Sequence, residues 1–71
     1  MNNQSSNDSF IELHRMGKDY FQVIDRANNN NSIFIRFTHN DSEEIRIKKI
    51  NESKEKLIVE RIKSTLKTKN Q

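Results

Sequence analysis

The sequence predicts an α+β fold, in which a three-stranded antiparallel meander follows a short N-terminal helix and precedes a C-terminal amphipathic helix (α-β-β-β-α). From Ser32 to Lys49, apolar and polar residues alternate with period 2, as in half-buried strands. After Asn51 the apolar residues recur with a period of about 3.6, as on one face of a helix. We expect one domain over residues 9–69, preceded by a flexible, Asn/Ser-rich tail at residues 1–8.

The segment Phe10–Met16 carries helix signals at both ends. Ser9 and Glu12 have the spacing of a capping box, and Gly17 stands where a left-handed C-terminal cap would be needed. A strand is the alternative, because apolar and polar residues also alternate in this segment. Since the two end signals agree with each other, the sequence favours the helix.

Three predicted strands follow along the chain. They cover Asp19–Arg26, Ile33–Thr38 and Glu44–Lys49, where β-branched and aromatic residues are frequent. Ala27–Asn31 forms the first connection, for which asparagine is suited because it tolerates left-handed backbone. His39–Ser42 is a run of turn-forming residues between the second and third strands.

The final helix has Asn51 or Ser53 as its predicted N-cap, with acidic residues near its start and lysines toward its end. Leu57 lies off the apolar stripe of this helix. The predicted core consists of Phe21, Val23, Ile33, Ile35, Phe37, Ile45 and Ile47 on the sheet and Ile58, Val59, Ile62 and Leu66 on the helix. Burial on this scale barely offsets chain entropy, so we expect low stability or stabilisation by a partner.

Composition excludes several classes of site. The chain has no cysteine, no proline and one glycine, so it can form neither a disulfide, a thiolate metal site nor a glycine-rich phosphate loop. His14 and His39 are isolated, which argues against a zinc site. With no catalytic signature, we expect no enzyme activity and no cofactor. No apolar run has the length of a membrane span, and we expect a cytoplasmic protein.

Charge and strand alternation predict a binding surface. The net charge of +3 and pI near 9.5 favour an acidic partner, such as nucleic acid or an acidic protein groove. Aromatic and basic residues fall on the sheet face opposite the core, and lysines form a stripe on the last helix. The candidate binding residues are Tyr20, Arg26, Phe34, Arg36, Arg46, Lys48, Lys56 and Lys63.

A structural role explains the same residues. Tyr20 and Phe34 can be a cross-strand pair, the cations can be solvating charges, and the first helix can cover this face. The stripe on the last helix can likewise be a solvated surface with an ordinary i, i+4 charge pair.

In its predicted element order the chain resembles double-stranded RNA-binding domains, in which basic residues open the last helix. Lys48, Lys49, Lys54 and Lys56 are the basic residues that correspond here. The small residues of that family's last helix are replaced by Leu57, Arg61 and Thr65. The resemblance implies a nucleic-acid-binding function.

The chain is also similar to small phage anti-CRISPR proteins that bind Cas9. The shared words, in the same order, are Lys18-Asp19-Tyr20, Ile35-Arg36, Asn40-Asp41, Asn51-Glu52-Ser53 and Ile58-Val59-Glu60. The resemblance implies an inhibitor of a nucleic-acid-handling machine. Those inhibitors are acidic mimics of DNA, whereas this chain is net positive and lacks their acidic C-terminal segment.

We therefore expect a small, non-enzymatic binding protein of a phage or mobile element that inhibits or regulates a nucleic-acid-handling machine. Its partner would be a host or phage protein of nucleic-acid metabolism, contacted through Glu43, Glu44 or Leu57. The alternative is a regulatory protein that binds DNA or RNA directly through its basic sheet face. A third hypothesis is a homodimer that buries Ile24 and Phe34 between protomers.

Overall fold

The computed structural model describes residues 9–69, so the predicted flexible tail at residues 1–8 lies outside the described residues. Three strands and one helix follow in the order β1 (Ile11–Gly17), β2 (Tyr20–Asp25), β3 (Asn31–Arg36) and α1 (Glu43–Lys69). The strands form one antiparallel sheet in the order β1-β2-β3. The α+β class and the three-stranded antiparallel sheet are confirmed, but the described element order is β-β-β-α.

The predicted helix Phe10–Met16 is wrong, because this segment forms strand β1. Ile11 lies opposite Asp25 and Leu13 opposite Val23, and the register shifts once, between Arg15 and Gly17. The pairing satisfies the backbone groups on the outer side of β2, which a local capping box cannot do. Gly17 is not a left-handed cap, since its φ is not positive.

Strands β2 and β3 form a regular hairpin, with Tyr20 opposite Arg36 and every intervening residue paired. Asn29 (φ 55°) and Asn30 (φ 60°) in the connection adopt left-handed backbone. This agrees with the reason for expecting asparagine there.

The predicted third strand Glu44–Lys49 is also wrong, because it forms the first turns of α1. Ser42 is the N-cap: its hydroxyl accepts from the Ile45 N–H (3.2 Å) and its carbonyl from the Arg46 N–H (3.0 Å). Glu43 and Glu44 occupy the first turn, where the helix dipole favours acidic residues. The predicted N-caps Asn51 and Ser53 are therefore helix-interior residues.

α1 packs on β2 and β3 and closes the core. The buried cluster consists of Val23, Ile35, Phe37 and Leu57, and Leu57 is fully buried. The predicted placement of Leu57 off the core stripe is therefore wrong. Ile11, Phe21, Ile33 and Ile50 pack around this cluster and are partly buried.

The outer side of α1 carries apolar residues that were predicted to be buried. Val59, Ile62 and Leu66 are 48%, 53% and 55% exposed, and Ile45 and Ile47 are also exposed. The sheet-facing side of the helix is instead formed by residues 50, 53, 57 and 61, which include buried Ser53 and half-buried Arg61. Two of these positions, 53 and 61, carry polar residues, so the sheet-facing side of α1 does not coincide with the predicted apolar stripe.

A buried ion pair explains why an arginine faces the sheet. Asp25 is fully buried at the end of β2, and its two carboxylate oxygens each accept a hydrogen bond from the Arg61 guanidinium at 2.9 Å. Asp25 Oδ1 also accepts from the Ala27 N–H at 2.9 Å. The pair joins the C-terminal half of α1 to the end of β2. Its two hydrogen bonds compensate the cost of burying the Asp25 carboxylate.

Candidate binding surface

The sheet face turned away from α1 is open within the described residues, and a cluster of Tyr20, Phe34 and Arg36 lies on it. The Tyr20 and Phe34 rings are stacked, with centroids 5.5 Å apart and planes 16° apart. The Arg36 Cζ lies 4.6 Å from the centroid of the Tyr20 ring. Strand pairing produces this arrangement, because Arg36 is directly opposite Tyr20 and Phe34 is its diagonal neighbour.

The predicted cross-strand pair of Tyr20 and Phe34 therefore forms, and it leaves Phe34 54% exposed. Next to it, Gln22 Nε2 donates to Ser32 Oγ at 3.1 Å, while Ile24 is buried among its neighbours. The face thus presents a fixed aromatic ring with polar groups beside it. The first helix, which was one alternative for covering this face, is not present within residues 9–69, where that segment forms β1.

Lys56 of α1 lies on the other side of β3 from this face. A groove of about 250 Å³ runs between β3 and α1, and its lining includes Phe34, Arg36, Lys49 and Lys56. The structure therefore brings four predicted binding residues together around β3: Tyr20, Phe34, Arg36 and Lys56. We call these four residues the β3 surface.

Arg26 lies at the opposite end of the open face and is held by an acidic neighbour. Its Nη2 is 3.0 Å from Glu12 Oε1, and its Nη1 donates to Asn30 Oδ1 at 3.2 Å. The Arg26 hydrogen bond, followed by that of His14 at 2.7 Å, lowers the pKa of Glu12 to about 2. The same ion pair raises the pKa of Arg26. This end of the face is therefore a locally neutralised ion-pair cluster.

Arg46 does not lie on the open face, as was predicted from its assignment to a strand. Its guanidinium donates to the carbonyl oxygens of Thr38 (3.0 Å) and Asp41 (3.3 Å) and to Asp19 Oδ1 (3.4 Å). It also lies 5.0 Å from the Phe37 ring centroid. Arg46 thus joins the start of α1 to the two connecting loops, which is a structural role.

Lys48 was also predicted on the open face, and it too lies on α1. It is exposed and precedes Leu57 by nine residues, so helical geometry places it on the side of α1 opposite the core. Lys63 is exposed two turns after Lys56, as their helical spacing predicted. Neither Lys48 nor Lys63 lines the groove beside Phe34 and Arg36.

Lys49 was not among the candidate binding residues, but it belongs to the lining of this groove. Its Nζ donates to Asp41 Oδ2 at 2.9 Å and to the Arg36 carbonyl oxygen at 3.3 Å. The Thr38 N–H and then Lys49 lower the pKa of Asp41 to about 2. Lys49 could have been found only if Ser42-Glu43-Glu44 had been recognised as the start of α1.

Residues 9–69 contain no cluster of three or more His, Cys, Asp or Glu side chains able to hold a metal ion. The one described helix is not apolar enough to cross a membrane.

Comparison with known proteins finds no protein-family model, no curated protein and no solved structure that matches the chain.

Proposed function

We propose that this chain is a non-enzymatic regulatory protein that binds single-stranded nucleic acid through the β3 surface. The observation that carries the proposal is the exposed Phe34 ring, stacked on Tyr20 and flanked by the cation Arg36. Aromatic rings that stack bases beside cations that contact phosphates are the common elements of single-strand binding.

The stack on Tyr20 holds the Phe34 ring in a defined orientation before any ligand arrives. A base that stacks on the exposed part of Phe34 therefore costs little ordering of the protein side chain. Arg36 lies beside the rings on the open face and Lys56 beside the same strand on the α1 side, and each is a cation that can contact a phosphate. The net charge of +3 favours the approach of a polyanion.

The test is fluorescence anisotropy with labelled single-stranded and duplex DNA and RNA, at low and at physiological salt. Phe34→Ala should weaken single-strand binding by about 1–3 kcal/mol, or about 5- to 150-fold. Arg36→Ala should weaken binding and lower the salt slope by about 1. Lys48→Ala is the matched control, because it removes a cation from the opposite side of α1 and should leave Phe34-dependent binding unchanged.

Absence of binding to all four ligands would refute the proposal. So would equal losses for Arg36→Ala and Lys48→Ala, since these would indicate unspecific attraction to net charge. Circular dichroism of each variant distinguishes a lost contact from a lost fold.

The exposed apolar side of α1 favours a second candidate function. Val59, Ile62 and Leu66 project from the helix and lie outside the β3 surface. We propose as this alternative a cytoplasmic inhibitor from a phage or mobile element that docks on a protein of a nucleic-acid-handling machine. The exposed residues Glu43 and Glu44 remain candidate contacts, whereas the buried Leu57 is withdrawn.

Inhibition of DNA cleavage by a purified CRISPR effector nuclease is the direct test of the alternative. Inhibition that is lost in Ile62→Ser but kept in Phe34→Ala would support protein-directed action. Inhibition that is lost in Phe34→Ala and kept in Ile62→Ser would instead indicate that the β3 surface is responsible for the inhibition.

A further inference from the structure

We propose that the outer edge of β3 accepts an extended acidic peptide as a fourth strand of the sheet. This proposal does not rest on nucleic-acid binding. It uses the backbone of β3 and the grooves between β3 and α1, rather than the stacked rings on the open face.

The backbone of β3 presents hydrogen-bonding groups on its outer side, and within residues 9–69 only the Arg36 carbonyl oxygen has a partner there, Lys49. The Phe37 N–H donates to the Asp19 carbonyl at 2.8 Å, so odd-numbered residues direct their backbone groups toward β2. Ser32, Phe34 and Arg36 then direct theirs outward. Lys49 agrees with this assignment, since its Nζ reaches the Arg36 carbonyl from outside the sheet. Among the described residues, no other group bonds to these outward atoms.

The β3 edge also lacks the features that normally prevent strand addition. It contains no proline, no lysine and no bulge, and its pairing with β2 continues without a register shift. The β1 edge differs in two ways. Its register shifts between Arg15 and Gly17, and Glu12 of β1 is held in an ion pair with Arg26 on the open face. Strand addition is therefore favoured at β3 over β1.

Two adjacent grooves, of about 250 and 440 Å³, run along β3 on the side of α1 and can receive alternate side chains of an added strand. The apolar side chains Ile33 and Ile35 line them. At the Arg36 end, Lys49 and Lys56 lie on the α1 side near Glu52, and Lys49 is paired with Asp41. The Arg36 guanidinium lies on the open face of the same strand, and the second groove adds Glu60. The Arg36 end of the edge therefore carries more cations than carboxylates, and it favours acidic side chains in that part of the incoming strand.

The same charges disfavour a second copy of the chain as the occupant. Pairing of two β3 edges would bring the β3-facing sides of two α1 helices together. That side carries a row of Lys49, Lys56 and Lys63, spaced by seven residues, and also Glu52 and Glu60. Lys56, in the middle of the row, would then face its own copy near the symmetry axis, where like charges repel.

The experiment is fluorescence anisotropy with a labelled octapeptide of alternating valine and glutamate. We expect saturable binding, and none by the valine–lysine analogue. Lys56→Glu should weaken binding about three- to tenfold, since it replaces an attraction by a repulsion at an exposed site. Lys48→Glu makes the same change on the opposite side of α1 and should bind as well as the unmodified chain.

Backbone methylation of the peptide tests strand addition without altering the protein. Only alternate N–H groups of an added strand point toward β3. Methylation of one alternate set should therefore abolish binding, while methylation of the other set should preserve it. Ser32→Pro gives a second test, because it removes an outward donor from the edge and should weaken binding if circular dichroism shows an intact fold.

No binding of the acidic octapeptide at millimolar concentration would overturn the proposal. Equal binding of both methylated peptides would overturn it as well, because the peptide would then not pair with the backbone. Sedimentation showing a dimer that Ser32→Pro dissociates would assign the edge to a second copy instead.

Discussion

Replacement of Leu57 by alanine tests which side of α1 faces the sheet. Leu57 is fully buried in the cluster with Val23, Ile35 and Phe37. Removal of a buried leucine side chain costs about 2–5 kcal/mol, including the cavity that remains. A domain of this size has a total stability of roughly 3–10 kcal/mol, so the loss takes a large part of it. With a urea m-value of about 1 kcal/mol/M, the unfolding midpoint should fall by about 2 M or more.

Val59→Ala is the matched control on the same helix. Its side chain is 48% exposed, and truncation there should change the free energy of unfolding by less than about 0.5 kcal/mol. Urea unfolding followed by circular dichroism measures both variants. If Val59→Ala destabilised the protein as much as Leu57→Ala, the orientation of α1 described above would be incorrect.

Three further predictions concern the ion pairs and the single glycine. Arg61→Met should lower the free energy of unfolding, measured by thermal unfolding, by about 3–5 kcal/mol, because Asp25 is left buried without its counter-charge. The double variant Asp25→Asn/Arg61→Met should recover part of that loss, and no recovery would contradict the pairing. The pKa of Asp41 is lowered from 3.8 to about 2, so its stabilising contribution is complete above pH 3.8 and is lost as the pH falls toward 2. Asp41→Asn should therefore flatten the dependence of the urea unfolding midpoint on pH between these values. An unaltered pH dependence would argue against the contact of Asp41 with Thr38 and Lys49. Gly17→Ala should stabilise the protein by about 0.4–1 kcal/mol in urea unfolding, because the φ of Gly17 is not positive and the nearest contact of the new Cβ is Tyr20 Cβ at 3.5 Å. A clear destabilisation would indicate strained backbone at this position.

Sequence periodicity predicted the β2–β3 hairpin and its open face, because alternation continues there over many residues and the connection is rich in asparagine. It failed at the two segments where short patterns fit both element types. At Ser9–Gly17, local end signals indicated a helix, whereas pairing along β2 provided a whole ladder of backbone hydrogen bonds. A capping box acts within one turn and cannot outweigh that ladder.

At Glu44–Lys49 the alternation of Ile45 and Ile47 was misleading, because both side chains are exposed on α1. The N-cap Ser42 and the acidic pair that follows it were the better guide. The orientation of the helix could not be predicted from apolar residues alone. Arg61 also faces the sheet, and its partner Asp25 is distant in sequence and becomes a neighbour only in the folded sheet.

The candidate surface was predicted in part for the same reason. Tyr20, Phe34 and Arg36 lie on strands whose alternation was correctly interpreted, so their shared face followed from sequence. Arg46 and Lys48 were assigned to the predicted third strand. That segment forms the start of α1 instead, so neither residue lies on the open face. Lys56 reached the surface through the packing of α1 beside β3, which no local pattern encodes.

The sheet order β1-β2-β3 has a consequence for how fast the chain folds. Each strand pairs with its neighbour in sequence, and α1 follows β3 after one short connection. Few segments must therefore find each other across long loops, and the entropy of loop closure is small at every step. Such sequential topologies fold among the faster α+β domains, and we expect refolding in about milliseconds in stopped-flow mixing.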